Sequence, residues 1–454
     1  MAAGDLTSLE DRTALGVHAL RPGSTVLVTG TNGKTSTTMS IRDTLARLGR
    51  RSACYSSLGI AFPGRPPTAF TTEWMLSAAT IGMRLKTWRE AVGPGAALIA
   101  EVTSVWLGMG VTAALGPIDV GVLTSLGEDH LEQHGGRAAY HALKLGLLAA
   151  VRRGGAVVYP TALAPRIVSA LKTRRPDLDH YPVGTNGIFV LQRSTACLWE
   201  GCSRGTVELA DGSLVEHSHH SISLVLHENA LLASAAASAL GATPGAALAA
   251  SDGLAPPAGR CQIVRTPQGQ PVAIVDAAHN PEAFAACLRT ARRVHAGRTV
   301  AVFGCGGQRD RWKRAAMGRI AGDLADAVVV TDDNPRGDSP AEIRAEVLVG
   351  YPNAVEIAGR REGLLTARSL AGPTGLVVAL GMGATAWRDT DGVRRTDAAV
   401  LSDSHPAPPP QPARYGATSS YSGTDGEVSG QPGGPSACPA PPNKPQSRPP
   451  ASWT

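Results

Sequence analysis

The chain has 454 residues, 43% of them hydrophobic and 18% charged, and carries a formal net charge of +6, so it is long enough for two or three domains with sizeable cores. Basic residues are dispersed and aromatics make up only 4%, which leaves neither a stacking platform nor a basic stripe for nucleic acid. No apolar run reaches the roughly 18 residues of a membrane span, and the N-terminus lacks the basic-then-apolar pattern of a signal peptide, so a cytoplasmic protein is expected.

Residues 1–24 read as a short lead-in. Val26-Leu27-Val28-Thr29 then runs into Gly30-Thr31-Asn32-Gly33-Lys34-Thr35-Ser36, with good helix positions to about Gly49. Strand, tight loop and helix in this order are phosphate-loop context: successive N–H groups and a helix N-terminus converge on phosphate oxygens, and glycine lets the backbone come close. Lys34 would neutralise the β- and γ-phosphates, and Thr35 would offer its hydroxyl to Mg²⁺. Val28 stands where the usual pattern has a further glycine, so taken alone the stretch also fits an ordinary glycine-rich turn.

Strands at 25–29, 97–101, 119–124 and 155–159, a strand or loop near 52–62, and helices at 34–49, 73–91 and 137–152 alternate. This predicts a mostly parallel α/β sheet covered by helices, with ligands at the carboxyl ends of its strands. A polar, hairpin-bearing segment follows at 180–226, then an Ala-rich helix at 228–240 that completes a domain spanning 25–254. Ala255-Pro256-Pro257-Ala258-Gly259 reads as a linker. A second, smaller α/β run occupies 260–401: strands 271–276, 298–303, 327–331 and 375–380, and helices 281–294, 313–325, 339–349 and 360–370. It looks like a small dinucleotide-type fold. Residues 402–454 are rich in Pro, Gly and Ser and read as disordered.

The seven cysteines are scattered and odd in number, which opposes a disulfide framework. Cys197 and Cys202, followed by His217, His219 and His220, match no common zinc spacing and read as a solvated loop. Glu101 ends an apolar strand on the same sheet edge as the glycine-rich loop, a good place to hold Mg²⁺, though also an ordinary one for a surface glutamate. Glu128-Asp129-His130 follows the next strand on that edge. Lys144, one of six lysines, sits among leucines on a helix; most such lysines snorkel to solvent, but a buried one asks for a chemical explanation.

Together these residues resemble the Mur ligases, whose relatives include folylpolyglutamate synthetase and the ligase half of cyanophycin synthetase. Gly30-Thr31-Asn32-Gly33-Lys34-Thr35 is similar to that family's form of the phosphate loop. Glu101-Val102-Thr103-Ser104 resembles its magnesium segment, and Asp129-His130-Leu131 its Asp-His motif. The resemblance implies that Lys144 is carbamoylated and helps hold a second Mg²⁺ with His130, that Asn229 reads adenine, and that Arg260 swings onto the phosphates. Asp276-Ala277-Ala278-His279-Asn280-Pro281 is similar to a motif of the C-terminal domain that places Asp276 and His279 near the nucleotide. Val302 to Asp310 and Asp333-Asn334-Pro335-Arg336 follow the branch that makes the UDP-N-acetylmuramoyl tripeptide. Substrate contacts are implied for Thr71, Thr72, Asp333, Asn334, Arg336 and Gly381.

Three departures stand out. There is no room before Val26 for the family's uridine-binding domain. Gly381-Met382-Gly383-Ala384-Thr385 stands where diaminopimelate-specific members read Gly-Lys-Gly-His-Glu, and Thr72 is followed by Glu73 rather than proline. The resemblance implies an ATP- and Mg²⁺-dependent ligase that joins a carboxylate to an amine through an acyl phosphate, on a peptidoglycan precursor or a smaller biosynthetic acid. A monomer is expected. The alternative is a Mur-like nucleotide-binding subunit serving a partner amidotransferase; a motor-type phosphate-loop ATPase lacks any visible arginine finger.

Overall fold

Five consecutive buried residues, Thr25–Thr29, form strand β1, as a strand covered on both faces requires. In this computed structural model, residues 22–61, 77–171, 174–267, 269–308 and 310–403 are described. The lead-in, Thr71 and Thr72 and the C-terminal tail lie outside them.

β1 sits near the middle of a ten-stranded sheet completed by β2 (Ser52–Ser56), β3 (Gly59–Ala61), β4 (Ala97–Glu101), β5 (Ile118–Leu123), β6 (Val151–Pro160), β7 (Asp179–Val183), β8 (Phe189–Cys197), β9 (Cys202–Leu209) and β10 (Leu214–His219). The order is β10-β9-β8-β7-β6-β5-β1-β4-β2-β3. β4 and β5 flank β1 in parallel, with Val28 opposite Glu101 on one side and Val122 on the other. This register brings the loop after β1, the carboxylate at the end of β4 and the Asp-His segment after β5 to one edge.

The polar segment expected to bear a hairpin forms two, β8–β9 and β9–β10, which extend the same sheet and join it through the Val183–Phe189 pair. His217 and His219 are buried rather than solvated. Both face inward from β10 beneath the helix Leu224–Ala239; His217 joins a hydrogen-bonded network there, and the His219 ring stacks against His227 with centroids 6.1 Å apart. His217 Nδ1 lies 2.8 Å from His227 Nε2, His217 Nε2 lies 2.9 Å from Ser251 Oγ, and His227 Nδ1 lies 3.0 Å from Ser203 Oγ. Short helices such as Ser104–Gly108, Val111–Leu115 and Pro244–Ser251 are too brief to display a period in the sequence; threonine caps at 103 and 243 are the local signal.

The second sheet comprises β11 (Gln262–Val264), β12 (Val272–Asp276), β13 (Thr299–Phe303), β14 (Ala327–Val330), β15 (Val355–Glu356) and β16 (Leu376–Leu380), in the order β11-β12-β16-β13-β14-β15. All its pairings are parallel except β11 with β12. The helix Pro281–Val294 shows how sequence sets one cover. Asn280 Oδ1 caps it by accepting from Ala283 N, Pro281 opens the first turn, and Phe284, Leu288 and Ala291 recur on the buried face.

Leu198, Ile222 and Leu226 of the first lobe belong to the same apolar cluster as Phe284 and Phe303 of the second. Burial of each such side chain contributes roughly 1.5–3 kcal/mol. The linker ends equally firmly: Gly259 has φ +69°, and a Cβ there would strike Gly383 and the Ala384 amide, so only glycine fits.

Candidate active site

Gly30 and Gly33 both take positive φ. A side chain at Gly30 would collide with Thr124, and one at Gly33 would press on Asn229, whose buried amide nitrogen has no hydrogen-bond partner among the described residues. Lys34 Nζ donates to Gly30 O at 3.1 Å and Thr31 O at 2.9 Å, closing over its own loop. Burial lowers its pKa, and the nearby Glu101 and Asp129 charges partly offset this. Thr35 and Ser36 are buried at the start of the helix Lys34–Arg47. Thr35 Oγ1 donates to Glu101 Oε2 at 2.9 Å, and Ser57 N donates to the same oxygen at 2.9 Å. A hydroxyl and a carboxylate together beside a phosphate loop suit a hard cation such as Mg²⁺.

Lys144 does not snorkel. It is 1% exposed, its Nζ donates to Gly30 O at 2.7 Å, and it lies 4.5 Å from the centre of the Tyr140 ring. Taking an ammonium out of water costs several kcal/mol even after relaxation. One hydrogen bond from a charged donor returns roughly 1.5–3 kcal/mol. Desolvation therefore wins, and burial, reinforced by the Lys34 charge, pushes the pKa well down despite Asp129 and Glu101 nearby. A neutral amine is the nucleophilic form of a lysine, and Lys34 sets a positive charge beside it.

Asp129 is the hub between the lobes. Its Oδ1 meets Lys313 Nζ at 3.2 Å, and its Oδ2 lies 3.4 Å from His279 Nε2 and 3.6 Å from His130 Nε2. Burial alone would raise this carboxyl, but His279, Lys313 and His130 overcome it and hold the pKa far below the usual carboxylate range. His130 has φ +54°, an uncommon backbone state for a side chain with a Cβ. Asn32 of the phosphate loop reaches the second lobe, accepting from Asn280 Nδ2 at 2.8 Å and donating to Glu282 Oε2 at 3.1 Å. Arg260 Nη2 donates to Thr35 Oγ1 at 3.2 Å.

The residues singled out for metal thus fall into two groups. Thr35 and Glu101 touch each other, whereas His130 clusters with Asp129 and Asp310, whose ligand atoms lie within 4.8 Å of one another. Asp276 turns both oxygens inward, accepting from Cys261 N at 2.6 Å and Ala278 N at 2.7 Å, so it fixes the backbone that carries Arg260. Asp333, Asn334, Arg336 and Gly381 meet beyond the ends of β14 and β16. Arg336 Nη1 donates to Gly307 O at 3.2 Å, Gly307 N donates to Asn334 O at 2.9 Å, and Asp333 lies against Gly381. Lys313 was missed on reading the sequence; its signal was scarcity, since it is another of the six lysines.

A phosphate loop whose threonine is touched by a carboxylate of its own lobe and by an arginine of a second α/β lobe defines a nucleotide site closed between two lobes. The Mur ligase middle domain model matches residues 28–237, and the Mur ligase glutamate ligase domain model matches residues 259–383. UDP-N-acetylmuramoyl-L-alanyl-D-glutamate--2,6-diaminopimelate ligases are similar: that of Caulobacter vibrioides is 33% identical, over 80% of this chain and 75% of the relative, and that of Xanthomonas campestris pv. campestris is 34% identical, over 82% and 75%. The chain belongs to the Mur ligase family. Among solved structures, a diaminopimelate ligase of the same name superposes with a TM-score of 0.56 at 25% identity, covering 88% of this chain and 84% of that one. A bifunctional folylpolyglutamate synthase/dihydrofolate synthase from Yersinia pestis, solved with AMPPNP and manganese, gives 0.60 at 21% identity, covering 82% and 88%, and shares the fold.

Proposed function

We propose that this chain is an ATP-dependent acid–amine ligase that extends a peptidoglycan precursor by one amide bond. The observation that carries the reading is the meeting of Arg260, Thr35 and Glu101: an arginine from one lobe and a carboxylate from the other share a hydroxyl at the phosphate loop. In this reading Gly30, Thr31, Asn32, Gly33, Lys34, Thr35 and Ser36 cradle the phosphates, with backbone N–H groups and the Lys34 ammonium replacing water. The buried Asn229 amide is available to the adenine, and Asp276 and His279 shape the nucleotide's side of the second lobe.

Thr35, Glu101, His130 and, if carbamoylated, Lys144 would hold Mg²⁺, which would supply charge stabilisation for phosphoryl transfer. The acid's carboxylate oxygen attacks the γ-phosphorus and ADP leaves. The amine then adds to the acyl carbon, loses a proton, and expels phosphate carrying the acid's original oxygen. Lys34 and Arg260 lie where the two approaching anions need positive charge. Arg336, with Asp333, Asn334 and Gly381, holds the acceptor, its guanidinium forking onto an α-carboxylate. We place the enzyme in the cytoplasm, where its free thiols remain reduced. A nucleotide-binding subunit serving an amidotransferase is not favoured, because the full ligase set of Lys34, Glu101, His130 and Lys144 is retained.

An acid labelled with ¹⁸O in its carboxylate tests the chemistry: one label should appear in inorganic phosphate for each amide formed. Unlabelled phosphate would rule out the acyl phosphate.

A further inference from the structure

Asp310 stands in the loop after β13 and is 3% exposed. Its Oδ1 accepts the Glu132 N–H of the other lobe at 3.3 Å, while Oδ2 is buried with no hydrogen-bond partner among the described residues. A buried polar group left unpaired costs roughly 1–3 kcal/mol, and more when charged. Beside it are Asp129 and His130, and one ligand atom from each of the three lies within 4.8 Å of the others. Cation–ligand bonds of about 2.0–2.6 Å put opposed ligands roughly 4–5 Å apart, so the cluster has the dimensions of a single ion site.

Charge decides between an ion and a water. Lys313 is already engaged by Asp129 Oδ1. His279 Nε2 also faces Asp129, 3.4 Å from Oδ2, so both neighbours of this corner are turned to Asp129 rather than to Asp310. The corner therefore sets two buried carboxylates against one ammonium and two imidazoles. A neutral water would leave the Asp310 charge uncompensated, whereas a divalent cation compensates it and takes up the idle oxygen.

We propose that Asp310 is a second-domain ligand of a divalent cation at the Asp129–His130 corner, so that binding the ion draws the two lobes together. The choice of magnesium as the natural ion rests on the ligase reading; the site itself does not.

The test is titration of Mn²⁺ alone into the full chain without nucleotide, followed by electron paramagnetic resonance, for the wild type and Asp310→Asn. The variant should bind Mn²⁺ at least about tenfold more weakly. It should also lose the rise in melting temperature that Mn²⁺ gives the wild type, while melting no lower than wild type in chelator, since a buried charge has been removed. Equal Mn²⁺ affinity in both proteins, or no nucleotide-free binding by the wild type, would overturn the proposal. Failure of the ligase reading would appear differently, as a wild type that binds the ion yet forms no amide.

Discussion

Arg260 Nη2 lies 3.2 Å from Thr35 Oγ1, so the first side chain after the linker touches the phosphate loop. The contact is held at its base: Asp276 accepts from Cys261 N, and Gly259 is wedged against Gly383 and Ala384. Such an arginine is pre-positioned to meet charge developing on the phosphates. Arg260→Ala is expected to lower kcat by about 10²–10³, the usual loss for one preorganised donor, with a smaller effect on ADP affinity. Steady-state phosphate release and calorimetry separate the two, and an equal loss in both would make Arg260 a simple binding residue.

Lys144 gives a sharper test. Lys144→Ala should be nearly inactive, and short-chain carboxylic acids should partly restore turnover by supplying the oxygen ligand that the carbamate would provide. Its fold should persist, because the substitution removes a poorly solvated amine. Full activity in the alanine variant would reduce the lysine to packing.

The histidines beneath the helix Leu224–Ala239 predict a pH window for stability. Burial holds His217 at about 4, His219 at about 3 and His227 at about 4, against an ordinary 6.5. The unfolded chain takes up protons that the folded chain refuses, so stability present above about pH 6.5 is lost as pH falls toward 4. The melting temperature should decline over that interval. His227→Gln should start lower, having lost its bonds to Ser203 and His217, and decline less steeply. A wild-type melting temperature that stays flat from pH 6.5 to 4 would contradict the buried neutral cluster.

The strands around the phosphate loop were legible because buried parallel strands write themselves as short apolar runs. So were the helix starting at Pro281, with its Asn-Pro cap, and the family motifs. The histidine network was not legible: His217 and His219 lie in a polar stretch, and only the register of β10 against β9 turns them inward. The partnership of Asp129 with Lys313, 184 positions apart, was equally hidden, because local pattern carries no information on which lobes face each other. Asp310 lies in one of the family-like motifs, but its idle oxygen exists only in three dimensions.

Thr385 bears on the acceptor. It is exposed on the turn where Thr385 N donates to Met382 O at 2.9 Å, and it stands where diaminopimelate-specific members carry a glutamate. Removing one partner of a partly desolvated charge pair costs roughly 2–5 kcal/mol. Diaminopimelate should therefore be used at least about 30-fold less well than an amino acid without a distal ammonium, a factor equivalent to about 2 kcal/mol. Thr385→Glu should narrow the gap. A competition assay decides it, and a clear wild-type preference for diaminopimelate would mean that another carboxylate pairs with the distal ammonium.

The most direct test of the whole account is phosphate release from ATP by the full chain, with product mass, against a matrix of acids and amines that includes UDP-muramoyl peptides. The account predicts turnover only when a matched acid and amine are both present, with one amide formed per phosphate released and Lys34→Ala inactive. Phosphate release that ignores acid and amine alike, or persists in Lys34→Ala, would contradict it.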